Sequence, residues 1–437
     1  MSRQFHHSGD SIGEDSPSDS DNRPVAGDAR MKTVTELCSF EGRLAGTDAE
    51  RRAATRLAER LRELGRRAEV EPTYVHPQAP LIWAAHCALA LAGSLAAVAE
   101  PAVGFALVLL AATSFYLDLN TRLYLFRPLF FRRASQNVVS PGSSPDAPAR
   151  LMVVAHYDAA RTGTLHNPKQ VDRARRLARF LPFGEARLLF WSVAALLPLL
   201  GARMAGVDSD AIALLQLLPT LFLLVAIFLL VDIQLSAVVP GANDNASGVA
   251  VALAVAESLA EKPPKNLDVW LVLTGAEECG MEGMRAFVNS RRKQLDPKST
   301  FVIAIDAVGA GDVRWVASEG MTVSFEMDGR LLELCQAVAD ADREAGGVYR
   351  AAPLRRGSAS DALAARVRGW RATAITCLEA GAHRPRHHHA PADVPGALSL
   401  PALDRAEGFT LELIRALDRD AGRARPAPDR TPGDEPG

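Results

Sequence analysis

The sequence predicts an α/β fold: a mixed, largely parallel twisted sheet with helices on both faces, interrupted by two transmembrane helical hairpins. Three observations lead to this prediction. Short β-branched runs alternate with amphipathic segments, four long apolar runs occur in two pairs, and acidic or histidine residues recur where the strands end. Alternating strands and helices are typical of a mainly parallel sheet that is covered on both faces.

The first of these observations gives the predicted elements in chain order. An amphipathic helix over 48–65 comes first, and Gly65 can end it. Further along, strands are predicted at 150–158, 267–275, 299–306 and 372–378, and helices at 247–261, 283–295, 330–346 and 402–417.

The four long apolar runs cover 81–99, 102–119, 188–206 and 211–231. A membrane-spanning helix needs about 20 mostly apolar residues, and the first, second and fourth runs meet this requirement. The third contains Pro198 and Arg203 and is the weakest candidate. Buried core helices are the alternative, but such helices rarely lack a polar face over this length. We therefore predict two hairpins in a lipid bilayer, at 80–119 and 188–233.

The placement of basic residues predicts the orientation of these hairpins. Both flanks are rich in arginine and lysine, whereas the two turns are not; the flanking residues are Arg122, Arg127, Arg132 and Arg133 after the first hairpin, and Lys169, Arg173, Arg175, Arg176, Arg179 and Arg187 before the second. Basic loops stay on the cytoplasmic side. We expect a multi-pass protein of the inner or plasma membrane whose soluble domain is cytoplasmic.

Charge and composition describe the rest of the chain. With 49 basic and 51 acidic residues among 437, the net charge is −2, which argues against a nucleic-acid partner. Five scattered cysteines indicate a reducing compartment. The polar segments 1–30 and 420–437 are predicted to be disordered tails. What remains is one discontinuous soluble domain, formed by 31–79, 134–187 and 234–419.

Candidate site residues follow the predicted strands. In parallel sheets the carboxyl ends of the strands meet at one edge, where ligands bind. The residues expected there are His156 and Asp158 in "AHYDAA", Asp244 in "GANDNASGVA", Glu277 and Glu278 in "TGAEECG", Asp306 in "IDAVG", and His389 in "HHHAPAD". Asp244 could instead be a helix N-cap.

Carboxylates gathered at one edge repel each other unless cations neutralise them. Imidazole and carboxylate groups together suit a pair of divalent metal ions. A further carboxylate that binds no metal can then serve as the general base. An isolated pair of glutamates is more often a solvated surface feature, so it is the ordered series that predicts this site.

These motifs resemble the co-catalytic zinc aminopeptidase family typified by bacterial leucyl aminopeptidases, whose relatives include glutamate carboxypeptidases and glutaminyl cyclases. The resemblance covers about 37–75, 135–165 and 238–418. It includes "GRLAGTDAERRAATRLAERLRELG" as the opening helix and the metal motifs in the family's order. It implies a zinc exopeptidase fold, a peptide substrate and most readily an aminopeptidase.

The resemblance also implies two Zn²⁺ ions per chain and a role for each site residue. His156 and Asp306 would bind one zinc ion, and Glu278 and His389 would bind the other. Asp244 would bridge both ions. Glu277 would be the general base, and Asp158 would orient the His156 ring.

Two departures from the family pattern bear on the function. The loop between the His156 and Asp244 motifs contains the whole second hairpin, and Ala362 in "SASDALAARV" stands where relatives often place a histidine. The alternatives are a glutaminyl-cyclase-like acyltransferase, whose relatives typically use one zinc, and a multi-span transporter or scaffold with an inactive peptidase domain.

The histidine run "HRPRHHHAPADVP" requires a choice of register. Only His389 fits the resembled pattern of histidine, any residue, proline, any residue, aspartate. Pro391 biases Ala390 toward an extended conformation. Because neighbouring side chains point oppositely in an extended segment, His388 is expected to face away from His389.

Overall fold

The computed structural model describes residues 28–166, 185–207 and 209–423, and it is built around a nine-stranded sheet. The predicted tails and the basic segment 169–179 lie wholly or largely outside these residues. The strands are β1 (Glu69–Val75), β2 (Arg133–Ser140), β3 (Ala149–His156), β4 (Leu267–Thr274), β5 (Thr300–Ile305), β6 (Asp312–Glu319), β7 (Phe325–Glu326), β8 (Ala352–Arg355) and β9 (Arg371–Leu378).

The sheet is parallel at its centre and antiparallel toward its edges. Its order is β1-β2-β4-β3-β5-β9-β6-β7, and β8 pairs with β6. The four predicted strands are β3, β4, β5 and β9, and they form the parallel centre. The antiparallel pairs β1–β2, β2–β4 and β6–β9 were not predicted. The sequences of β1, "EVEPTYV", and β2, "RASQNVVS", contain no long apolar run. β1 lies at the edge of the sheet and exposes alternate residues, whereas β2 buries polar residues such as Ser135 and Asn137.

Helices cover both faces of the sheet, as predicted. Outside the hairpins they are α1 (Ala29–Cys38), α2 (Asp48–Glu63), α8 (Gly248–Glu261), α9 (Glu282–Arg291), α10 (Gly329–Glu344), α11 (Asp361–Arg366) and α12 (Leu400–Arg423). The sequence prediction missed α1 and α11, and α12 continues past residue 420, where the C-terminal tail was expected to begin.

Side chains of β3 alternate between the two cores on either side of the sheet. Leu151 and Val153 pack with α1, α2, α8 and α12, whereas Met152 and Val154 pack with α9, α11 and the hairpin helices. This alternation follows from the two-residue period of a strand. The apolar middle of β3, residues 151–155, is therefore buried on both faces, which explains why its sequence is a continuous apolar run.

The hairpin segments form helices α3 (Ala79–Ala96), α4 (Pro101–Leu119), α5 (Glu185–Ala194), α6 (Leu196–Met204) and α7 (Asp210–Leu235). By length and composition, four helical segments of the described chain could cross a membrane: 79–96, 101–119, 186–204 and 210–235. The third is divided at Ala195 into α5 and α6. Pro198 explains the division, because it cannot donate a hydrogen bond to the carbonyl four residues earlier.

These helices pack closely through small and polar residues. A Cβ atom on Gly104 would lie 2.4 Å from the Cβ atom of Ala97, so only glycine permits this approach of α4 to α3. The Ser94 hydroxyl lies 2.7 Å from that of Thr220, and the Gln216 amide donates to the Ser94 carbonyl at 2.7 Å. The opposite side of α7 exposes large apolar side chains: Leu214, Leu215, Leu217, Leu218, Leu221 and Phe228.

A buried arginine joins the first hairpin to the catalytic domain. Arg127, shortly after α4, donates to both carboxylate oxygens of Asp118 at 2.7 and 2.9 Å. It also donates to the Cys279 carbonyl at 2.7 Å and to the Glu282 carboxylate. The other oxygen of Glu282 lies 3.2 Å from Nδ1 of His76. Since Cys279 directly follows Glu277 and Glu278, Arg127 ties the end of α4 to the turn that carries both glutamates.

We predict that Arg127→Met destabilises the protein by about 3–5 kcal/mol, because the Asp118 and Glu282 carboxylates would stay buried without their cation. The measurement is the thermal unfolding midpoint in detergent. Arg122→Met is the matched control, since Arg122 is exposed and a surface substitution typically changes stability by no more than about 0.5 kcal/mol. Equal midpoints for the two variants would contradict the prediction.

Candidate metal centre and active site

A cavity of about 480 Å³ opens at the carboxyl edge of the parallel strands. Six of the seven predicted site residues line it: His156, Asp244, Glu277, Glu278, Asp306 and His389. The seventh, Asp158, is fully buried. The structure therefore brings together residues that are up to 233 positions apart, from 156 to 389.

Asp244 lies between two imidazoles at the centre of this group. Its Oδ1 is 3.3 Å from Nε2 of His156, and its Oδ2 is 3.5 Å from Nε2 of His389. On one side, Nε2 of His156 is 3.9 Å from Oδ1 of Asp306. On the other, Nε2 of His389 is 3.2 Å from Oε2 of Glu278. One carboxylate thus separates two sets of donors, which is the arrangement that a bridging ligand requires.

Backbone hydrogen bonds fix the position of Asp244. It belongs to a tight turn, 242–247, that precedes α8. The Asp393 carboxylate accepts from the backbone N–H of Asn243 at 2.7 Å and of Asp244 at 3.1 Å. Residue 247, not Asp244, is the N-cap position of α8, so the N-cap alternative for Asp244 is wrong.

The same turn is bonded to the loop that carries Asp306. The Asn245 side-chain oxygen accepts from the backbone N–H of Ala307 at 2.9 Å, and the Asn243 oxygen accepts from that of Gly309 at 2.7 Å. Both amides are buried. The two loops are therefore held at a constant separation by side chains that sequence reasoning did not single out.

Asp158 organises the turn that carries the two glutamates. Its carboxylate accepts from the backbone N–H of Glu277 and from that of Glu278, both at 3.1 Å. One of its oxygens lies 3.4 Å from Nδ1 of His156. A Cβ atom on Gly283 would lie 1.9 Å from the Gly275 carbonyl oxygen, so glycine is needed for this turn to close. Asp158 contacts both motifs, whereas the resemblance implied only its contact with His156.

Burial and crowding perturb the titration of the site. Burial raises the pKa of Glu277 well above its usual value, and the carboxylates of Glu278 and Asp361 add to the effect. Burial also raises the pKa of Glu278. Although burial lowers the pKa of His156, the surrounding aspartates outweigh this and hold it well above its ordinary value. All three pKa values are raised because several negative charges lie close together where little water reaches them.

This donor set fits divalent metal ions. Within the described residues, Oε1 of Glu278 is buried without a hydrogen-bond partner, which is costly for an acceptor unless a cation approaches it. Ligand atoms of His156, Asp244 and Glu278 lie within 4.8 Å of one another. Imidazole nitrogen and carboxylate oxygen are common zinc ligands.

The position of His388 differs from the prediction. Its ring stacks on that of His389 with centroids 3.8 Å apart, and its Nε2 lies 3.7 Å from Oδ2 of Asp244. The expectation that the two side chains point oppositely is wrong. His387 and His389 both have positive φ, 56° and 53°, so the segment forms a turn and is not extended. Both imidazoles therefore reach the cavity.

Two charged residues beside the site were also missed. Arg356 lies 3.4 Å from the Asp306 carboxylate and 2.8 Å from that of Glu319. Asp361 accepts from the Thr274 hydroxyl, and burial raises its pKa to about 7. Asp361 lies within the stretch 358–367, and Arg356 shortly precedes it. Ser358 and Ala359 of this stretch line the cavity. Ala362 is buried in α11.

Comparison with known proteins agrees with this site. Residues 231–414 match the family model described as Peptidase family M28, a family of typically zinc-dependent hydrolases. That segment contains Asp244, Glu277, Glu278, Asp306 and His389. The resemblance to the zinc aminopeptidases and their relatives is thereby confirmed. No curated protein sequence matches the chain.

Solved structures show a similar fold at low sequence identity. BSAP, a zinc aminopeptidase from Bacillus subtilis, has a TM-score of 0.51 at 13% identity, with 89% of this chain and 94% of that chain covered. The glutaminyl cyclase of Porphyromonas gingivalis has a TM-score of 0.51 at 14% sequence identity, with 90% of this chain and 97% of that chain covered. A Zn-dependent exopeptidase from Parabacteroides distasonis has a TM-score of 0.50 at 13% sequence identity, with 90% of this chain and 99% of that chain covered. These similarities establish the zinc exopeptidase fold and leave the reaction open.

Proposed function

We propose that this chain, of which residues 231–414 match Peptidase family M28, is a member of that family and a membrane-embedded, two-zinc exopeptidase, most readily an aminopeptidase. The single observation that carries the proposal is the position of Asp244 between two donor sets, 3.3 Å from His156 and 3.5 Å from His389. In this proposal Asp244 bridges the metals, Asp306 joins His156, and Glu278 joins His389.

Glu277 has the properties expected of the general base. It lines the cavity, it follows β4 directly, and its pKa is raised by burial. A raised pKa suits a group that must accept a proton and return it near neutral pH. Zinc bound at this site would polarise the scissile carbonyl and lower the pKa of the attacking water. Glu277 then takes the proton from that water and gives it to the departing amine.

The remaining charged groups suit a substrate with a free amino terminus. Carboxylates gathered in one cavity attract the ammonium group of a peptide's amino terminus and repel the carboxylate of its carboxyl terminus. The Arg356 guanidinium faces Asp306 and Glu319, which hold it in place at the cavity wall. We infer that these groups position the peptide so that its first peptide bond lies beside Glu277.

Glutaminyl cyclase activity is the second candidate, and the fold similarity to the Porphyromonas gingivalis enzyme is the observation in its favour. The presence of His156 and Asp306 beside Asp244 favours a two-metal hydrolase instead. Incubation with glutaminyl peptides distinguishes the two reactions, because the cyclase releases ammonia and the hydrolase releases a free amino acid.

A transporter is less well supported. His86 is the histidine within α3, and its two nitrogens bond to the Ile82 carbonyl at 2.8 Å and the Ser114 hydroxyl at 2.9 Å. Its ring stacks between Phe115 and Phe126. A side chain packed in this way supports the helix bundle and does not face an aqueous path.

The proposed cytoplasmic placement of the catalytic domain rests on the basic residues that flank the hairpins, and the hairpin helices contact this domain through their ends. Trp83 of α3, Ala186 of α5 and Ile233 of α7 line the cavity, so these helix ends meet the catalytic domain. A helix of 18 residues is about 27 Å long, which places the two hairpin turns far from the site. In this proposal the cavity opens close to the cytoplasmic membrane surface.

The roles of the two adjacent glutamates predict different defects. Glu277→Gln removes the proton acceptor, so we expect kcat on aminoacyl-anilides to fall roughly 10²–10⁴-fold while the zinc content stays that of the wild type. Glu278→Gln removes a metal ligand, so we expect a loss of zinc together with activity. Zinc is counted by plasma emission spectrometry on the detergent-purified variants.

Glu261→Gln is a control for this pair, because Glu261 is an exposed residue at the end of α8. It should keep both zinc and activity. Loss of zinc in the Glu277 variant, or full zinc content in the Glu278 variant, would show that the roles are assigned wrongly.

The proposed topology predicts which positions a membrane-impermeant thiol reagent can reach in intact cells. Single cysteines at the exposed turns, Glu100→Cys and Val207→Cys, should be labelled from outside. Lys169→Cys and Lys298→Cys should be labelled only after the membrane is opened. Wild-type protein provides the background from the native cysteines. Labelling of the two lysine positions in intact cells would overturn the cytoplasmic placement.

A further inference from the structure

A third histidine reaches the cavity from the loop that enters the second hairpin. His166 ends a short turn, Thr164–His166, that follows β3, and it is buried and lines the cavity. None of the family motifs in this chain contains it. Its segment belongs to the long insertion between His156 and Asp244.

The end of α7 holds this turn in place. The backbone N–H of Thr164 donates to the Asp232 carboxylate at 2.6 Å, and that of Thr162 donates to the Ala237 carbonyl at 2.9 Å. A Cβ atom on Gly163 would lie 2.7 Å from Cγ1 of Ile233, so only glycine allows the turn to lie this close to the helix. The His166 ring is thus positioned before any metal binds.

His166 forms a compact imidazole cluster with His388 and His389. Ligand nitrogens of the three residues lie within 4.8 Å of one another. The ring centroid of His166 is 5.0 Å from that of His389 and 6.3 Å from that of His388. Zinc binds imidazole nitrogen at about 2.0–2.1 Å, so nitrogens in a tetrahedral site lie about 3.4 Å apart. Side-chain rotations alone can close that difference.

The cluster adjoins one of the two metal positions. Nε2 of His389 is 3.2 Å from Glu278 and 3.5 Å from Asp244, and Nε2 of His388 is 3.7 Å from Asp244. His389 therefore contacts Glu278 and also adjoins the rings of His166 and His388, whereas the family resemblance implies a single imidazole at this metal position. The other position, beside His156 and Asp306, receives no such addition from these residues.

We propose that His166 is an additional ligand of the metal held by Glu278 and His389, supplied by the loop that enters the second hairpin. This inference rests on the proposed two-metal function. It makes the second hairpin part of the metal centre, because Asp232 and Ile233 of α7 contact the turn that ends at His166. Occupation of that metal position would then bind the loop to the catalytic domain.

The test is a titration of metal-stripped, detergent-purified protein with Co²⁺, followed by the d–d absorption of the bound ion, and with Zn²⁺ by calorimetry. Loss of an outer-shell partner already lowers metal affinity about 10–100-fold. We therefore expect His166→Ala to weaken one of the two sites at least about tenfold and to change the absorption of that site alone. His166→Asp, which restores a ligand atom, should recover much of the affinity.

His387→Ala is the matched control, because His387 is in the same histidine run but is exposed and outside the cluster. It should bind both ions as the wild type does. Equal affinities and spectra for the wild type and His166→Ala would overturn the inference and leave the proposed function standing. A wild-type chain that binds fewer than two ions would refute the proposed function itself. Thermal unfolding of each metal-free variant checks that it is folded.

Discussion

Four carboxylates line one cavity at the edge of the parallel strands, and their mutual repulsion is the constraint around which the site is organised: they are Asp244, Glu277, Glu278 and Asp306. Asp158 and Asp361 are buried beside them. Buried charges at such distances are tolerated only when cations or hydrogen-bond donors compensate them. Arg356 compensates part of the charge within the chain. Two divalent ions would compensate the rest.

The scaffold serves to hold these repelling groups together. The Asp393 carboxylate accepts a hydrogen bond from the backbone N–H of Asp244. The Asp158 carboxylate accepts hydrogen bonds from the backbone N–H groups of Glu277 and Glu278. Burial raises the pKa of Asp393 to about 7, although its hydrogen bonds to backbone N–H groups oppose the shift. In each case a carboxylate that faces away from the cavity orients one that faces into it. This is the outer-shell arrangement expected around metal ligands.

The hairpins contact this scaffold on two sides. Arg127 connects the end of α4 to the turn that follows Glu278, and Asp232 of α7 holds the turn that ends at His166. Because both contacts adjoin metal-binding segments, the apolar helices take part in shaping the site. The packing of these helices and the geometry of the site are therefore coupled, and a short loop between His156 and Asp244 would not provide this coupling.

The sequence predicted best those elements that can be recognised from their own residues. Strands β3, β4, β5 and β9 are mainly apolar, and polar residues at or just after the ends of β3, β4 and β5 fall at the shared edge because these strands are parallel. Thus His156, Glu277 and Asp306 could be placed together from sequence alone. The edge strands could not be recognised, since β1 and β2 owe their pairing to a partner strand and not to their own composition.

Features that depend on distant contacts or on single dihedral angles were not predictable. Arg127 looked like a basic residue flanking a hairpin, yet its partners include Glu282, far along the chain. The positive φ of His389 reverses the direction expected from an extended segment, and it brings His388 to the cavity as well. His166 belongs to no motif, and only the fold shows that its ring adjoins those of His388 and His389.

The central claim is that bound metal ions compensate the carboxylates at the sheet edge. The most direct measurement is the zinc content of the purified full-length protein together with its thermal unfolding midpoint before and after chelation. We expect about two zinc ions per chain and a marked fall of the midpoint on stripping, because a ligand present at about 1,000 times its Kd stabilises the folded state by about 4 kcal/mol. Re-addition of Zn²⁺ should restore the midpoint. A chain that binds no zinc, or whose midpoint does not change when its metal is removed, would contradict the claim.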